Sequence, residues 1–312
     1  MKLYSYLIKI LRYLPASIAS RVAFNLLDIF KKSNAENRSF CEKSLFGGGF
    51  INGNTRNPLD ACFAVLGTNN ISGMVIAAYY LRKNDVVFEF GANVGTETLA
   101  FSGLVGRYGK VVAVEADLEN VHVLRDRIDL NQLSHVTIVP KAVSDSSRLL
   151  ELHKGAHSGV SYITAIKVEI NRTHKNMIES ITADELFLLY GAPKLLFMDV
   201  EGAEFMALCG ASNLLQNARP IIYLEVNSAF LQRCDSSAKQ IYELLHEYSY
   251  ILYDPNGWSL PEIKLDSFNL DVDGEWLALP EERVPVDRDA IRSTLWRARL
   301  LPKIRYLSPL WY

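Results

Sequence analysis

The sequence predicts an α/β fold built on a parallel sheet, and three observations carry that prediction. From residue 84 onward, short apolar runs alternate with amphipathic stretches of helical period, the pattern of parallel strands joined by crossover helices. The run "DVVFEF" leaves its strand through a glycine bend at Gly91 and Gly95. The run "KLLFMD" is apolar without alternation, as a central strand covered on both faces should be.

Taken in order, "DVVFEF" is the first strand and "TETLAFSGLVG" its helix, with Gly106 near the end. "KVVAVEA" is the second strand. "ENVHVLRDRIDLNQ" then places Val121, Leu124, Ile128 and Leu130 on the apolar face of a helix. "HVTIVPKAV" is the third strand. Ser144 to Glu179 lacks a helical period, but "RLLELH" and "AIKVEI" read as strand pieces around "GAHSG", a hairpin-like excursion. In "TADELFLLYG", Thr182 and Glu185 have the spacing of a capping box and Gly191 stands at the end. "KLLFMD" and the helix "AEFMALCG" follow, then the strand "PIIYLEV" and the helix "SSAKQIYELLHEY". "YILYDPNGW" and "EWLALP" read as a closing antiparallel pair.

The flanks differ from this core. "MKLYSYLIKILRYLP" carries a narrow polar stripe, Lys2, Ser5, Lys9 and Arg12, and Pro15 stops that helix. Arg21, Asn25, Asp28 and Lys32 mark a second one. No run approaches the roughly 20 apolar residues that span a bilayer, and no small-residue cleavage site follows a clean apolar run. The organisation read from the sequence is therefore a helical extension over 1–80, a catalytic domain over 81–285 and a basic aromatic tail over 286–312. That tail holds Arg292, Arg297, Arg299, Lys303 and Arg305 among Trp296, Tyr306, Trp311 and Tyr312. The extension and the tail are suited to peripheral contact with a membrane, or to packing on their own domain or a second subunit. The oligomeric state is not legible.

With 312 residues, 49% hydrophobic and 22% charged, the chain has the composition of a folded globular protein. A net charge of −2 speaks against a nucleic-acid partner. Cys41, Cys62, Cys209 and Cys234 have no metal-type spacing, which fits thiols in a reducing, cytoplasmic setting.

The glycine bend carries the chemistry. A strand that opens into a helix through glycines presents free N–H groups to a ligand and lets it approach the backbone. Gly91-Ala-Asn93-Val-Gly95 does not fit the dinucleotide fingerprint G-x-G-x-x-G. Glu89, two residues before Gly91, can accept from an ammonium group. Glu115, at the end of the second strand, can accept both ribose hydroxyls. An ammonium, a ribose and no phosphate describe S-adenosylmethionine.

These pieces resemble the FkbM family of S-adenosylmethionine-dependent O-methyltransferases. "FEFGANVGTETLAF" is similar to the family's D-x-G-A-N-x-G opening, with Glu89 in the Asp position. "AVEADLENVHVLRDRIDLN" resembles its E-P-x-x-x-N block, with Ala116 replacing Pro. "VPKAVSD" resembles A-V-S-D, and "FMDVEGAE" the distinctive I-D-V-E-G-x-E; "RPIIYLEVN" and "EWLALPEE" continue the match over roughly residues 84–282. The resemblance implies a Rossmann-like, seven-stranded class I methyltransferase sheet with helices on both faces. It implies a cofactor set of Glu89, Gly91, Asn93, Gly95, Thr98, Glu115 and Ala116, with Ala142 and Val143 near the adenine. The acceptor it implies is a hydroxyl of a sugar, glycan or secondary metabolite. Two departures stand out. Phe197 occupies a usual Lys position, and "HKGAHSGVSYITAIKVEINRTHKN" matches only loosely, where acceptor specificity is expected.

In an open α/β sheet the ligand sits at the carboxyl ends of the strands, where Asp199, Glu201, Glu225 and Asn227 fall. Asp199 or Glu201 could take the acceptor's proton as a base, or the acids could hold Mg²⁺. Alternatively, Asp199 caps the next helix while Glu201 and Glu204 complement its dipole. His153, His157 and His174 lie in the loosely matched segment as possible bases, whereas His122, His135 and His246 read as structural. A non-catalytic or membrane-docked binding protein on the same fold is the alternative reading.

Overall fold

The computed structural model describes residues 39–44, 47–54, 63, 68, 70–155, 161–164, 176–257, 259–264 and 273–300. The first elements are a hairpin, β1 (Ser39–Lys43) and β2 (Phe50–Asn54), and a helix, α1 (Ile71–Tyr80). The α/β core continues with β3 (Val86–Phe90), α2 (Thr96–Val105), β4 (Lys110–Val114), α3 (Leu118–Leu130) and β5 (Val136–Val139). A smaller unit holds β6 (Ala142–Val143), β7 (Leu149–His153), β8 (Tyr162–Thr164) and β9 (Met177–Ile181). The core resumes through α4 (Ala183–Tyr190), β10 (Leu195–Met198), α5 (Glu204–Cys209), β11 (Ile221–Val226), α6 (Ser228–Arg233) and α7 (Ala238–Glu247). It closes with β12 (Tyr250–Tyr253), β13 (Gly274–Pro280) and α8 (Val284–Leu300).

Seven strands form the main sheet in the order β12-β13-β11-β10-β3-β4-β5. The five from β11 to β5 are parallel, and β13 runs antiparallel between β11 and β12. This is the class I methyltransferase sheet. Alternate residues of each strand serve opposite faces. Val87, Val111, Phe197 and Tyr223 pack with α1, α2, α3 and α8. Phe88, Val112, Leu196 and Leu224 pack with α4, α5, α6 and α7. Strands buried on both faces account for the unbroken apolar runs.

Several elements differ from the sequence reading. The third strand divides at Pro140, which offers no N–H to a ladder. β5 stays in the main sheet, while β6 pairs with β9 in a four-stranded sheet ordered β6-β9-β7-β8. Leu130 is exposed at the end of α3. "RLLELH" is a strand, as read, and pairs antiparallel with β8; "AIKVEI" lies outside the described residues. Residues 39–54 form a hairpin rather than a helix, and the stripes at residues 2–32 lie outside the described residues. Met74, Ile76 and Ala77 of α1 are buried in the core. From Val284 to Leu300 the tail is helical, with Ile291, Leu295 and Ala298 buried in that same core. The capping box at Thr182 and Glu185 forms as read. No described helix is long and apolar enough to cross a membrane.

Candidate active site

The site grows out of the end of β3. Gly91 takes φ +82°, and its N–H and that of Ala92 both donate to Val114 O at 2.9 and 3.0 Å. A Cβ at Gly91 would lie 1.7 Å from the Asp199 carbonyl oxygen, so only glycine lets the ends of β3 and β10 meet. Asn93, at φ +48°, donates its N–H to Glu115 Oε2 at 2.7 Å. Gly95, at φ +86°, opens α2 with no side-chain cap, and a Cβ there would meet Leu124 Cδ1 at 2.4 Å.

Glu115 lies just past β4, and the chain around it fixes its carboxylate. Oε1 accepts from Asp117 N at 2.8 Å and from Asn120 Nδ2 at 3.5 Å, while Oε2 accepts from Asn93. Asn120 is the Asn of the E-P-x-x-x-N block. Its place on the first turn of α3 explains that spacing, although no role follows for it from the sequence alone. Burial pushes the Glu115 carboxyl above its usual range, against the pull of these hydrogen bonds.

Glu89 behaves differently. Its side chain is buried, accepts from Thr98 Oγ1 at 2.6 Å and takes a backbone hydrogen bond from the same residue. It therefore closes the start of α2 from beneath the sheet. Burial drives its carboxyl well above the usual carboxylate range.

A cleft of about 610 Å³ runs along the carboxyl ends of the strands. Gly91, Asn93, Glu115, Ala116, Ala142, Val143, Asp199 and Glu201 line it. Glu89, Gly95, Thr98 and Glu225 do not contribute to that lining. Further wall residues carry no mark as site residues in the sequence, and four of them show where the wall comes from. Asn120 comes from α3 and Val200 from the loop after β10; Leu152 comes from β7, just before the loosely matched segment, and Ile163 from β8 within it. That hairpin is anchored at both ends. Lys154 pairs with Asp117 and Glu119 at 3.2 and 2.7 Å, Ser161 Oγ donates to Asp117 Oδ2 at 3.2 Å, and Arg233 lies over the Tyr162 ring.

The far end of the cleft is acidic. In "DVEGAE", Glu201 adopts φ +55° and Gly202 φ +108°, where a Cβ would meet Phe230 O at 2.3 Å. Glu204 Oε1 accepts from Val200 N and Gly202 N at 3.2 and 3.3 Å, so the last acid of the motif ties the loop together. The residue capping α5 is Ala203, so Asp199 is not spent as a helix cap. Asp199 lies beside Glu225, whose charge adds to the cost of ionising it. Burial first, then Glu225, Glu201 and Glu204, hold the Asp199 carboxyl well above its usual range. Burial and the neighbouring acids push Glu201 up to about 8, against the pull of Arg233. Burial raises Glu204 to about 7. Asp199 Oδ1, Glu201 Oε2, Glu204 Oε2 and Asn93 Oδ1 are buried with no hydrogen-bond partner among the described residues.

Phe197, in the usual Lys position, stacks on Tyr223 with ring centroids 5.1 Å apart and meets Phe101 edge-on at 5.2 Å. It puts an aromatic surface, not a cation, beneath Asp199. His153 stacks on Tyr162 and bonds Thr164 Oγ1 at 2.9 Å. His122 and His246 are exposed, and His135 contacts Ser102 O at 3.3 Å. His157 and His174 lie outside the described residues. Among the described residues, no group of three or more His, Cys, Asp or Glu side chains is arranged to hold a metal ion.

The model of the methyltransferase FkbM domain matches residues 89–252, more than half of the sequence. The chain belongs to the FkbM methyltransferase family. No curated protein matches it. Among solved structures, this family member is similar to the methyltransferase FkbM from Methylobacillus flagellatus KT, with 16% identity and a TM-score of 0.43, over 67% of this chain and 48% of that one. It thus spans about half of that protein's length. It is also similar to Aeropyrum pernix fibrillarin, solved with bound S-adenosyl-L-methionine, at 12% identity and TM-score 0.38 over 65% and 73% of the two chains. A third is a SAM-dependent O-methyltransferase from Thermotoga maritima, at 14% identity and TM-score 0.38 over 68% and 64%.

Proposed function

We infer that this FkbM-family protein is an S-adenosylmethionine-dependent O-methyltransferase whose acceptor is a hydroxyl of a small molecule or glycan. The observation that carries the reading is the cleft's polarity. A ribose-type acceptor, Glu115, stands at one end, and two half-buried acids with raised proton affinity, Asp199 and Glu201, stand at the other, with Glu225 beside Asp199 but outside the lining. The residues fit the cofactor. Glu115 is clamped with oxygen lone pairs left for hydroxyls, Ala116, Ala142 and Val143 offer an apolar wall, and the unpartnered oxygens of Asp199 and Glu201 call for positive charge or donors.

When bound, the cofactor supplies an electrophilic methyl group on a sulfonium. The chain's part is to orient the acceptor and remove its proton. Asp199 and Glu201 line the cleft and have raised proton affinity, which suits a general base working near neutral pH. Glu225, beside Asp199, raises the proton affinity of that carboxyl.

The test is thermal unfolding with S-adenosylmethionine, S-adenosylhomocysteine and NAD, followed by an acceptor screen that reads S-adenosylhomocysteine release. A ligand at a hundredfold over its Kd adds about 2.7 kcal/mol. A shift with the two adenosyl ligands and turnover with a hydroxyl acceptor are expected. A shift with NAD alone overturns the reading.

A further inference from the structure

α8 has two unlike faces. The inner one buries Asp287, Ile291, Leu295 and Ala298, and Asp287 accepts from Tyr80 and Tyr79 at the last turn of α1, at 3.1 and 3.5 Å. The outer one exposes Arg288, Arg292 and Trp296 at intervals of four, with Arg297 beside the indole. Trp296 is 51% exposed, an unusual place for so large an apolar ring. Cations around a solvent-facing Trp are the side-chain set of a helix that lies at a lipid interface.

Topology gives this face a direction. β13 runs against β11, so it ends at the edge where the parallel strands begin, and α8 starts there against the end of α1. Packed along α1, its 17 residues run about 25 Å back, toward the edge where β3, β4 and β10 end and the cleft opens. Charge is graded along the same line. Glu281, Glu282, Asp287 and Asp289 cluster at the start, and Asp289 pairs with Arg292 at 3.2 Å. From Ala290 to Tyr312 there are five basic residues and no acidic one. Cations in a last helical turn complement the helix dipole, and Arg288 lies over the Tyr253 ring, but neither accounts for the bare indole.

We propose that the outer face of α8 docks on an anionic lipid surface and holds the open edge of the cleft toward that surface. A second copy of the chain fits this face poorly, because a two-fold interface sets a patch against itself and would oppose arginine to arginine. Nucleic acid fits less well, since the chain as a whole carries a net charge of −2.

The experiment is co-sedimentation of the full chain with vesicles of phosphatidylcholine alone and of phosphatidylcholine mixed with phosphatidylglycerol. Binding is expected on the anionic vesicles only, weakening as salt is raised. The variant R292E/R297E should lose roughly fivefold or more per reversed arginine. W296A should weaken binding at an unchanged melting temperature, because the ring leaves solvent and not core. R292Q/R297Q, which only neutralises the two sites, guards against misfolding of the reversed variant. Failure of the intact protein to sediment with anionic vesicles overturns the proposal. So does equal binding to neutral vesicles, or undiminished binding by the arginine variants or by W296A.

Discussion

The charge state of the acidic end of the cleft should govern how the protein tells S-adenosylmethionine from S-adenosylhomocysteine, and pH is the perturbation that shows it. The two ligands share the ribose, the ammonium and the carboxylate, and differ by the sulfonium charge. Glu201 titrates at about 8 in the free site, where burial and the neighbouring acids disfavour its ionised form. At that value it is ionised to about 3% at pH 6.5 and to about three-quarters at pH 8.5. A sulfonium beside it favours the ionised form, so binding releases a proton and tightens as pH rises. If bound sulfonium keeps Glu201 ionised throughout, the preference for S-adenosylmethionine should grow by roughly 25-fold over that interval. Taking the ratio of the two affinities cancels the titration of the shared ammonium. Calorimetry at three pH values in buffers of different ionisation enthalpy measures both the ratio and the released proton, and Glu201→Gln should flatten the profile. A ratio that is flat within about twofold, or that falls with pH, would refute the placement of the methyl group at these acids.

Four further outcomes are expected. The free protein should lose thermal stability as pH rises from about 6 to 8.5. Asp199, Glu201 and Glu204 have folded values above their unfolded ones, so the folded state holds more protons and loses that advantage as pH climbs through them. Gly91→Ala should cost about 4 kcal/mol or more, from a left-handed φ and a clash with Asp199 O, and lower the melting temperature by roughly 8 °C. Gly47→Ala has a similar φ of +77° and open space around it, and should cost only about 1 kcal/mol; equal effects of the two would sink the contact argument. Glu115→Gln turns an amide donor toward a backbone donor, and should weaken both adenosyl ligands by roughly 10- to 100-fold in calorimetry. Asp199→Asn keeps the shape but cannot take a proton, and should slow single-turnover methyl transfer by about 100-fold or more while leaving S-adenosylhomocysteine affinity within a few-fold.

Much of this was legible in the sequence because local rules and burial agree. "KLLFMD" and "VVFEF" are central strands with both faces covered, so every position wants an apolar side chain or a paired acid. Gly91 and Gly95 were legible as bends, because a left-handed φ and close contacts with Asp199 O and Leu124 leave no room for a Cβ at either. Strand order was out of reach of local pattern: nothing in "EWLALP" says that it inserts between β11 and β12. The division at Pro140 is a choice between two sheets, made by partners distant in sequence. Glu89 sits at the limit of local pattern: an acid two residues before a glycine bend can face a ligand or bond the helix beyond, and the hydrogen bond it accepts from Thr98 Oγ1 is a pairing that a single sequence does not display. Leu152 and Ile163 reach the cleft because Lys154, Ser161 and Tyr162 anchor their hairpin, and a single sequence does not display such pairings.

The β1–β2 hairpin is held to α3 almost wholly through its own main chain. Asn131 donates to Phe50 O and accepts from Phe50 N, while Arg127 bridges Asn52 O and the Val94 carbonyl of the glycine bend. Gly48 and Gly49 press against Leu99 and Asn131, with no room for a Cβ. Ile51 adds one buried side chain, against Leu99 and Leu133; the rest of the attachment does not depend on which side chains the hairpin carries. Its outward positions are free to drift over evolutionary time, or to be rewritten by design, while two glycines, Ile51, Arg127 of α3 and Asn131 just past it keep it in place. The hairpin ahead of the main sheet can thus acquire new surface chemistry without disturbing the bend it braces.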